Sequence, residues 1–180
     1  MADESARAVE TRLGDLAAGE RRVVVSTRTG ASPRAVWAIL SDPARHAESD
    51  ASGMVLGPEP DAGPGSAPIR AVGDVFRMRM HAERMGGDYL MVNTVTVFEP
   101  LRRIAWTPAR EGYRPLGFQW CWSIEADGEG SRVELRYDWD AVTHPKMLAR
   151  SFPPFPLSHF QASVRRLAER AETAAAEEGA

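Results

Sequence analysis

Two stretches of strictly alternating hydrophobicity, separated by a short glycine-rich turn, constrain the fold of this chain more than any other feature. Apolar side chains occupy every second position in residues 118–124 and again in residues 133–139, with Asp127-Gly128-Glu129-Gly130 between the two stretches. This pattern predicts an antiparallel β-hairpin with one apolar face. Because that face carries Trp120, Trp122, Tyr137 and Trp139, it needs a large opposing surface, which could be packed core or the wall of a cavity.

Composition sets the class of protein. The 180 residues are 43% hydrophobic with a net charge of −3, which fits a single domain with a substantial core and gives no reason to expect a nucleic-acid partner. Because Cys121 is the single cysteine, the chain has no internal disulfide and no cysteine-based zinc site. Cys121 lies in the polar phase of its strand, so we expect an inert thiol on the outer surface.

The start of the chain bears on its location. We expect a cytoplasmic location and no stable membrane insertion, since residues 1–20 contain no apolar run.

The N-terminal part of the chain predicts an arm, a strand and two short helices. Residues 1–20 are interpreted as an N-terminal arm or a frayed helix, because Val9, Leu13 and Leu16 have helical spacing, and residues 21–178 as a single domain. Residues 22–29 alternate as in a strand. Ser32-Pro33 and Asp42-Pro43 each combine a capping side chain with proline at the first helical position, which predicts two consecutive short helices.

Further strands are predicted through the middle of the chain. We expect a short strand near 53–57, a long Gly- and Pro-rich loop over 57–68, and a strand over 75–81 with Phe76, Met78 and Met80 on its apolar face. The 57–68 loop could lie at an entrance or be a tolerated insertion. Residues 88–98 predict a longer strand that is apolar on both sides, so the pattern does not decide which side faces the core. A short strand over 102–106 and a loop over 107–115 follow.

The C-terminal part predicts an irregular crossing and then a long helix. Residues 141–156 contain four prolines, and Ser158 precedes Gln161 by the capping-box spacing. The helix should run to about residue 176, and its ~18 residues would span ~27 Å. Its apolar stripe consists of Phe160, Val164, Leu167, Ala168 and Ala171.

This order of elements resembles the helix-grip fold of the START/Bet v 1-like (SRPBCC) superfamily, of the polyketide cyclase/dehydrase and lipid transport type. Residues 32–43 (SPRAVWAILSDP) are similar to the family's segment between its first strand and second helix, and residues 97–106 are similar to its next recurring phrase. The resemblance implies an α+β fold in which a curved antiparallel sheet of six to seven strands wraps around a long C-terminal helix, with two short helices after strand 1. Members often carry a Trp where this chain has His46-Ala47-Glu48-Ser49, and the 57–68 loop is longer than usual.

The resemblance also implies a cavity between sheet and helix. The predicted ligand-binding residues are Phe76, Met78, Met80, Trp106, Trp120, Trp122, Tyr137, Trp139, Phe160 and Val164. The alternative is that most of them simply fill the core. Trp120 and Tyr137 are the better candidates for lining, because a buried indole and phenol need hydrogen-bond partners that a ligand or water could supply.

Chemical motifs are sparse. Four histidines lie far apart without metal-ligand spacing, so neither a metal nor a cofactor is expected. The sequence has no nucleophile elbow, phosphate-binding loop or dinucleotide fingerprint. If the pocket is catalytic, the candidate acid–base residues are His144, His159 and His81, since histidine titrates closest to neutral pH.

Three functions follow from these expectations. The first is binding of a small hydrophobic molecule that is lipid-, polyketide-, isoprenoid- or quinone-like, by a monomer or homodimer. The second is a polyketide cyclase or dehydratase that uses the same cavity, and the third is a partner-binding module without a ligand. Many rings with few converging polar groups favour the first.

Overall fold

The structure, a computed structural model, describes residues 8–14, 19–60, 67–149, 153 and 155–178. Its strands are β1 (Glu10–Leu13), β2 (Arg22–Thr29), β3 (Val55–Pro58), β4 (Val75–Ala82), β5 (Gly87–Glu99), β6 (Arg103–Arg110), β7 (Gln119–Asp127) and β8 (Gly130–Asp138). Its α-helices are α1 (Pro33–Leu40), α2 (His46–Ser49), α3 (Pro145–Leu148) and α4 (Leu157–Glu178), and single 3-10 turns occupy Pro43–Arg45 and Glu83–Met85.

The eight described strands form one antiparallel sheet in the order β1-β2-β8-β7-β6-β5-β4-β3. The predicted α+β helix-grip architecture is confirmed, with two short helical segments after β2 and a long C-terminal helix. The sheet has eight strands where six to seven were predicted. The predicted hairpin is confirmed as β7 and β8, with Trp120 opposite Tyr137 and Ile124 opposite Val133.

The additional edge strand is β1, and the frayed-helix prediction is wrong for residues 10–13. These residues pair with β2, with Glu10 opposite Ser26 and Leu13 opposite Val23. The helical spacing that motivated the prediction does not create a buried stripe, since Leu13 is 61% exposed. Pairing with β2 instead satisfies the backbone groups of both strands. Leu16 and residues 1–7 lie outside the described residues.

Both predicted helix starts are confirmed. The Ser32 hydroxyl accepts a hydrogen bond from the Ala35 amide at the start of α1, and Pro33 occupies the first helical position. The Asp42 carboxylate accepts one from the Ala44 amide, which starts the 3-10 turn that leads into α2. Capping of both starts lets the chain turn twice within a few residues and brings His46 back toward the sheet.

The open question about β5 is answered by a bulge. The register between β5 and β6 shifts between Val95 and Val97. Before the bulge the odd-numbered side chains point inward, up to Val95 opposite Trp106. After the bulge the even-numbered Phe98 points inward, opposite Ile104. Both apolar phases of this strand therefore face the core, each over part of its length.

Strand β6 is longer than predicted, since residues 107–110 pair with β5 where a loop was expected. Pro108 lies in this extension, opposite Asn93. The pairing of β6 with β7 ends at Trp106 opposite Trp120. Because β7 does not pair with this part of β6, the missing amide hydrogen of Pro108 removes no hydrogen bond between these two strands.

Helix α4 packs its predicted apolar stripe against β2 and β8 and contacts α1 and α2. All five stripe residues are buried: Phe160, Val164, Leu167, Ala168 and Ala171. The capping-box prediction is wrong, because α4 begins at Leu157 and the Gln161 amide donates to the Thr11 hydroxyl at 2.8 Å. We call the side of the sheet that faces α4 the inner face.

Candidate functional site

A row of aromatic rings crosses the inner face. Tyr137 of β8, Trp120 of β7 and Trp106 of β6 are successive cross-strand partners, and we call these three the ring row. The Trp120 and Tyr137 ring centroids are 4.7 Å apart, and Phe160 of α4 lies 5.8 Å from Trp120 and 5.6 Å from Tyr137. The tryptophan-bearing face and the stripe of α4 therefore face one another, as predicted.

The ten predicted ligand-binding residues all belong to one hydrophobic cluster, but they are not equally covered. Seven are buried, namely Phe76, Met78, Trp122, Tyr137, Trp139, Phe160 and Val164. Met80, Trp106 and Trp120 are only half-buried. Helix α4 packs mainly on β2 and β8, so the middle of the inner face keeps apolar surface that α4 does not cover. We call this part of the inner face the cleft.

Two deeply buried polar side chains on the inner face lack a hydrogen-bond partner among the described residues. The Tyr137 side chain is 3% exposed and that of Asn93 is 5% exposed. Burial raises the pKa of the Tyr137 phenol, so it stays protonated and able to donate. Each group is therefore able to form a hydrogen bond with a bound molecule.

The residue that sequence reasoning missed is His46. Its ring stacks on Trp106 at 5.2 Å and meets Phe76 edge-on at 5.3 Å. Its Nε2 lies 2.9 Å from the Leu40 carbonyl oxygen. The available signal was the departure from the family pattern, since this histidine falls in the segment where members often have Trp.

The three predicted catalytic histidines do not come together. His81 lies on the outer face, half-exposed, with its Nδ1 2.6 Å from an Asp88 oxygen that raises the pKa of the ring. His144 is exposed where α3 begins. His159 lies in the first turn of α4, 6.4 Å from the Phe155 ring, and its Nδ1 is buried without a hydrogen-bond partner among the described residues. Only His159 adjoins the aromatic cluster.

Arginines lie at the end of the sheet where β4 joins β5. The Arg84 guanidinium is 5.1 Å from the centre of the Phe155 ring, and that of Arg110 is 5.8 Å from the centre of the Tyr89 ring. The contact between Arg84 and Phe155 links the β4–β5 turn to the segment before α4. Such cation–π contacts are individually weak at exposed positions, about 0.5–1 kcal/mol.

The outer face carries the single cysteine of the chain. Cys121 lies opposite Ala105 and Arg136 on the outer side, and burial raises the pKa of its thiol, as expected for an unreactive cysteine. Over the described residues, no group of three His, Cys, Asp or Glu side chains is placed to hold a metal ion. Within the same residues, no helix has the length and apolar character needed to cross a bilayer.

We expect His46 to make stability fall as the solution becomes acidic. Burial lowers its pKa below the ordinary 6.5, and this outweighs the Leu40 carbonyl and the Asp42 carboxylate, which raise it. As pH falls below about 6.5, the unfolded chain therefore binds a proton that the folded ring resists, and each unit of pKa depression costs about 1.4 kcal/mol. Urea unfolding from pH 8 to pH 5 measures this, with His46→Phe as the reference. Wild-type stability should fall more steeply than that of the variant, and parallel profiles would contradict the assignment.

Comparisons with known proteins agree with this architecture. The sequence profile of the family "Polyketide cyclase / dehydrase and lipid transport" matches residues 20–172. The uncharacterized protein Rv0088 of Mycobacterium tuberculosis is 32% identical over 127 residues, which are 69% of this chain and 50% of that protein. The chain thus spans about half the length of the curated relatives it matches.

Solved structures show the same fold at low identity. A protein from Rhodobacter sphaeroides superposes with a TM-score of 0.63 at 14% identity, covering 94% of this chain and 99% of that one. DynU16, a protein of the dynemicin biosynthetic locus, has a TM-score of 0.51 at 20% identity and covers 86% of this chain and 48% of its own. Because the family profile covers most of the chain, this protein belongs to the polyketide cyclase/dehydrase and lipid transport family, of the START/Bet v 1-like (SRPBCC) type.

Proposed function

We propose that this protein binds a small, largely apolar molecule in the cleft, along the half-buried part of the ring row. The observation that carries the proposal is the pairing of half-buried rings with the unpartnered Tyr137 phenol on the same row. Apolar ligand sites typically combine aromatic walls with a few polar groups that set orientation. The family's association with lipids and polyketides supports a ligand of this class.

In this proposal the ten predicted residues have two roles, direct contact with the ligand and support of the residues that make that contact. Met80, Trp106 and Trp120, the half-buried members, contact the ligand directly. The seven buried members form the packed wall behind them, and the Tyr137 hydroxyl donates a hydrogen bond to the ligand. Burying a large side chain against a ligand contributes about 1.5–3 kcal/mol, so the two indoles supply much of the affinity.

The test uses N-phenyl-1-naphthylamine, an uncharged apolar fluorophore whose emission rises when it leaves water. We expect saturable binding of one molecule per chain, and we expect Trp120→Ala to raise its Kd at least tenfold, since about 1.5 kcal/mol or more of contact is lost. Equilibrium titration by fluorescence measures both. Trp106→Ala should act in the same direction.

A matched control is provided by Trp37. This indole is also half-buried, but it packs on Phe98 from α1, with ring centroids 5.3 Å apart, and not on the ring row. Trp37→Ala removes a side chain of the same size and should leave Kd within about twofold of the wild type. An equal loss in the Trp37 and Trp120 variants would mean that the probe reports general loosening, and the proposed cleft would be wrong.

Catalysis is the second candidate function, and His46 is the observation that favours it. A neutral imidazole that stacks on the ring row is placed to move a proton on a bound polyketide-like chain, as a cyclase or dehydratase requires. His159 beside Phe155 is the predicted histidine that could assist. Release of a cyclised product, as against release of the ligand unchanged, separates this candidate from carriage.

A further inference from the structure

His46 and Asn93 form one polar patch at the end of the ring row. The His46 ring lies against Phe76 and Trp106. Asn93 is the cross-strand partner of Phe76 and is two residues from Val95, the partner of Trp106. Both residues are therefore neighbours of Phe76, with Trp106 one step further along the sheet, although His46 comes from α2 and Asn93 from β5.

The hydrogen bond of His46 fixes which ring nitrogen is available. The Leu40 carbonyl oxygen can only accept, so Nε2, at 2.9 Å, must carry the hydrogen and donate it. A neutral imidazole has one donor and one acceptor nitrogen, and Nδ1 is therefore the acceptor. The contact of Nε2 with Leu40 is the only side-chain hydrogen bond of the His46 ring to another described residue. His46 thus offers a lone pair and no second hydrogen.

Asn93 supplies the complementary group. Its side chain is on the inner face, 5% exposed, among apolar neighbours that include Phe76 and Pro108. Its amide nitrogen donates and its amide oxygen accepts, and neither has a hydrogen-bond partner among the described residues. A lone pair on one side and an amide hydrogen on the other match one chemical group in particular, a hydroxyl, which donates through its hydrogen and accepts at its oxygen.

We propose that His46 and Asn93 recognise a hydroxyl group on a flat, uncharged ring system whose rings lie along the ring row. The ligand hydroxyl donates to Nδ1 of His46 and accepts from the Asn93 amide. A phenol or an enol of a conjugated ring has this chemistry, whereas an unsubstituted hydrocarbon or an alkyl chain leaves both protein groups unpaired. This inference rests on the proposed cleft and narrows the class of molecule that it takes.

The experiment compares two probes of the same shape, 2-naphthol and 2-methylnaphthalene, by isothermal titration calorimetry at pH 7.5. We expect the wild-type protein to bind 2-naphthol about tenfold more tightly, the value of one net hydrogen bond of about 1.4 kcal/mol. His46→Phe keeps the stacked ring, and Asn93→Leu keeps the volume. Each should reduce the preference to about twofold or less while retaining binding of 2-methylnaphthalene, which shows that the cleft is intact.

His81→Phe is the matched control, because the same substitution is made at a histidine on the outer face. It should keep the full preference for 2-naphthol. Equal binding of the two probes by the wild type, or a preference that survives both His46→Phe and Asn93→Leu, would overturn the inference and leave the proposed function standing. Binding of neither probe, together with no binding of N-phenyl-1-naphthylamine, would overturn the proposed function itself.

Discussion

Phe160→Ala should destabilise the protein by about 3–5 kcal/mol, the range for truncating a buried phenylalanine. The Phe160 ring is 2% exposed and lies within 6 Å of the Trp120 and Tyr137 rings. It is the stripe residue through which the start of α4 meets the ring row, so its loss leaves a cavity between helix and sheet. Small domains are stable by only about 5–15 kcal/mol, and the variant should therefore be marginally folded. Urea unfolding followed by circular dichroism measures the change.

Arg165→Ala is the control on the same helix. Arg165 is exposed on the opposite face of α4, and substitutions at such positions usually change stability by less than about 0.5 kcal/mol. A comparable loss in both variants would indicate that the loss at Phe160 does not come from packing against the ring row. A loss confined to Phe160→Ala would indicate that packing against the ring row holds the helix in place.

The parts of the fold that sequence predicts well are those whose periodicity is long and unambiguous. The hairpin of β7 and β8 repeats every two residues on both strands, so a one-residue error in register would expose its whole apolar set. The apolar stripe of α4 repeats over about three turns, from Phe160 to Ala171. The caps at Ser32 and Asp42 are local chemistry and depend on no distant contact.

The misassigned elements depend on partners that are distant in sequence. Residues 10–13 become a strand because the edge of β2 is free to pair with them, and no pattern within four residues can reveal that. In β5 the bulge after Val95 moves the inward phase by one residue, so neither apolar side is the outer one along the whole strand. Tertiary pairing decides both cases.

The candidate site was predicted mainly as a set of apolar residues, and its histidine, His46, was missed. Trp120 and Tyr137 stand out because broad rings on an alternating strand must be covered by something. His46 does not stand out, because a single histidine without characteristic spacing has many ordinary roles. Only the fold places α2 and β5 on either side of Phe76 and so joins His46 and Asn93 in one patch.

The second large effect is expected at Gly117, in the loop between β6 and β7. Its φ is +100°, and a Cβ there would lie 2.5 Å from the backbone carbon and oxygen of Ala141. Gly117→Ala therefore combines left-handed backbone strain of about 1–3 kcal/mol with a clash against main chain that cannot rotate away, about 1–3 kcal/mol more. We expect a loss of roughly 2–6 kcal/mol, measured by urea unfolding.

The variant Gly112→Ala, in the same loop, measures the cost of backbone strain without a steric clash. The φ of Gly112 is +79°, but no atom lies within 4 Å of the Cβ that alanine would add, so Gly112→Ala should cost only the left-handed strain, about 1–3 kcal/mol. The difference between the two variants then measures how closely the loop is held against residues 141–142. Because Phe118, the next residue, stacks on Tyr137 with centroids 6.3 Å apart, Gly117→Ala should also weaken binding of N-phenyl-1-naphthylamine, whereas Gly112→Ala should not. Equal costs for the two glycines would show that the loop is free to move away, and that the end of the ring row at Tyr137 is not fixed by this contact.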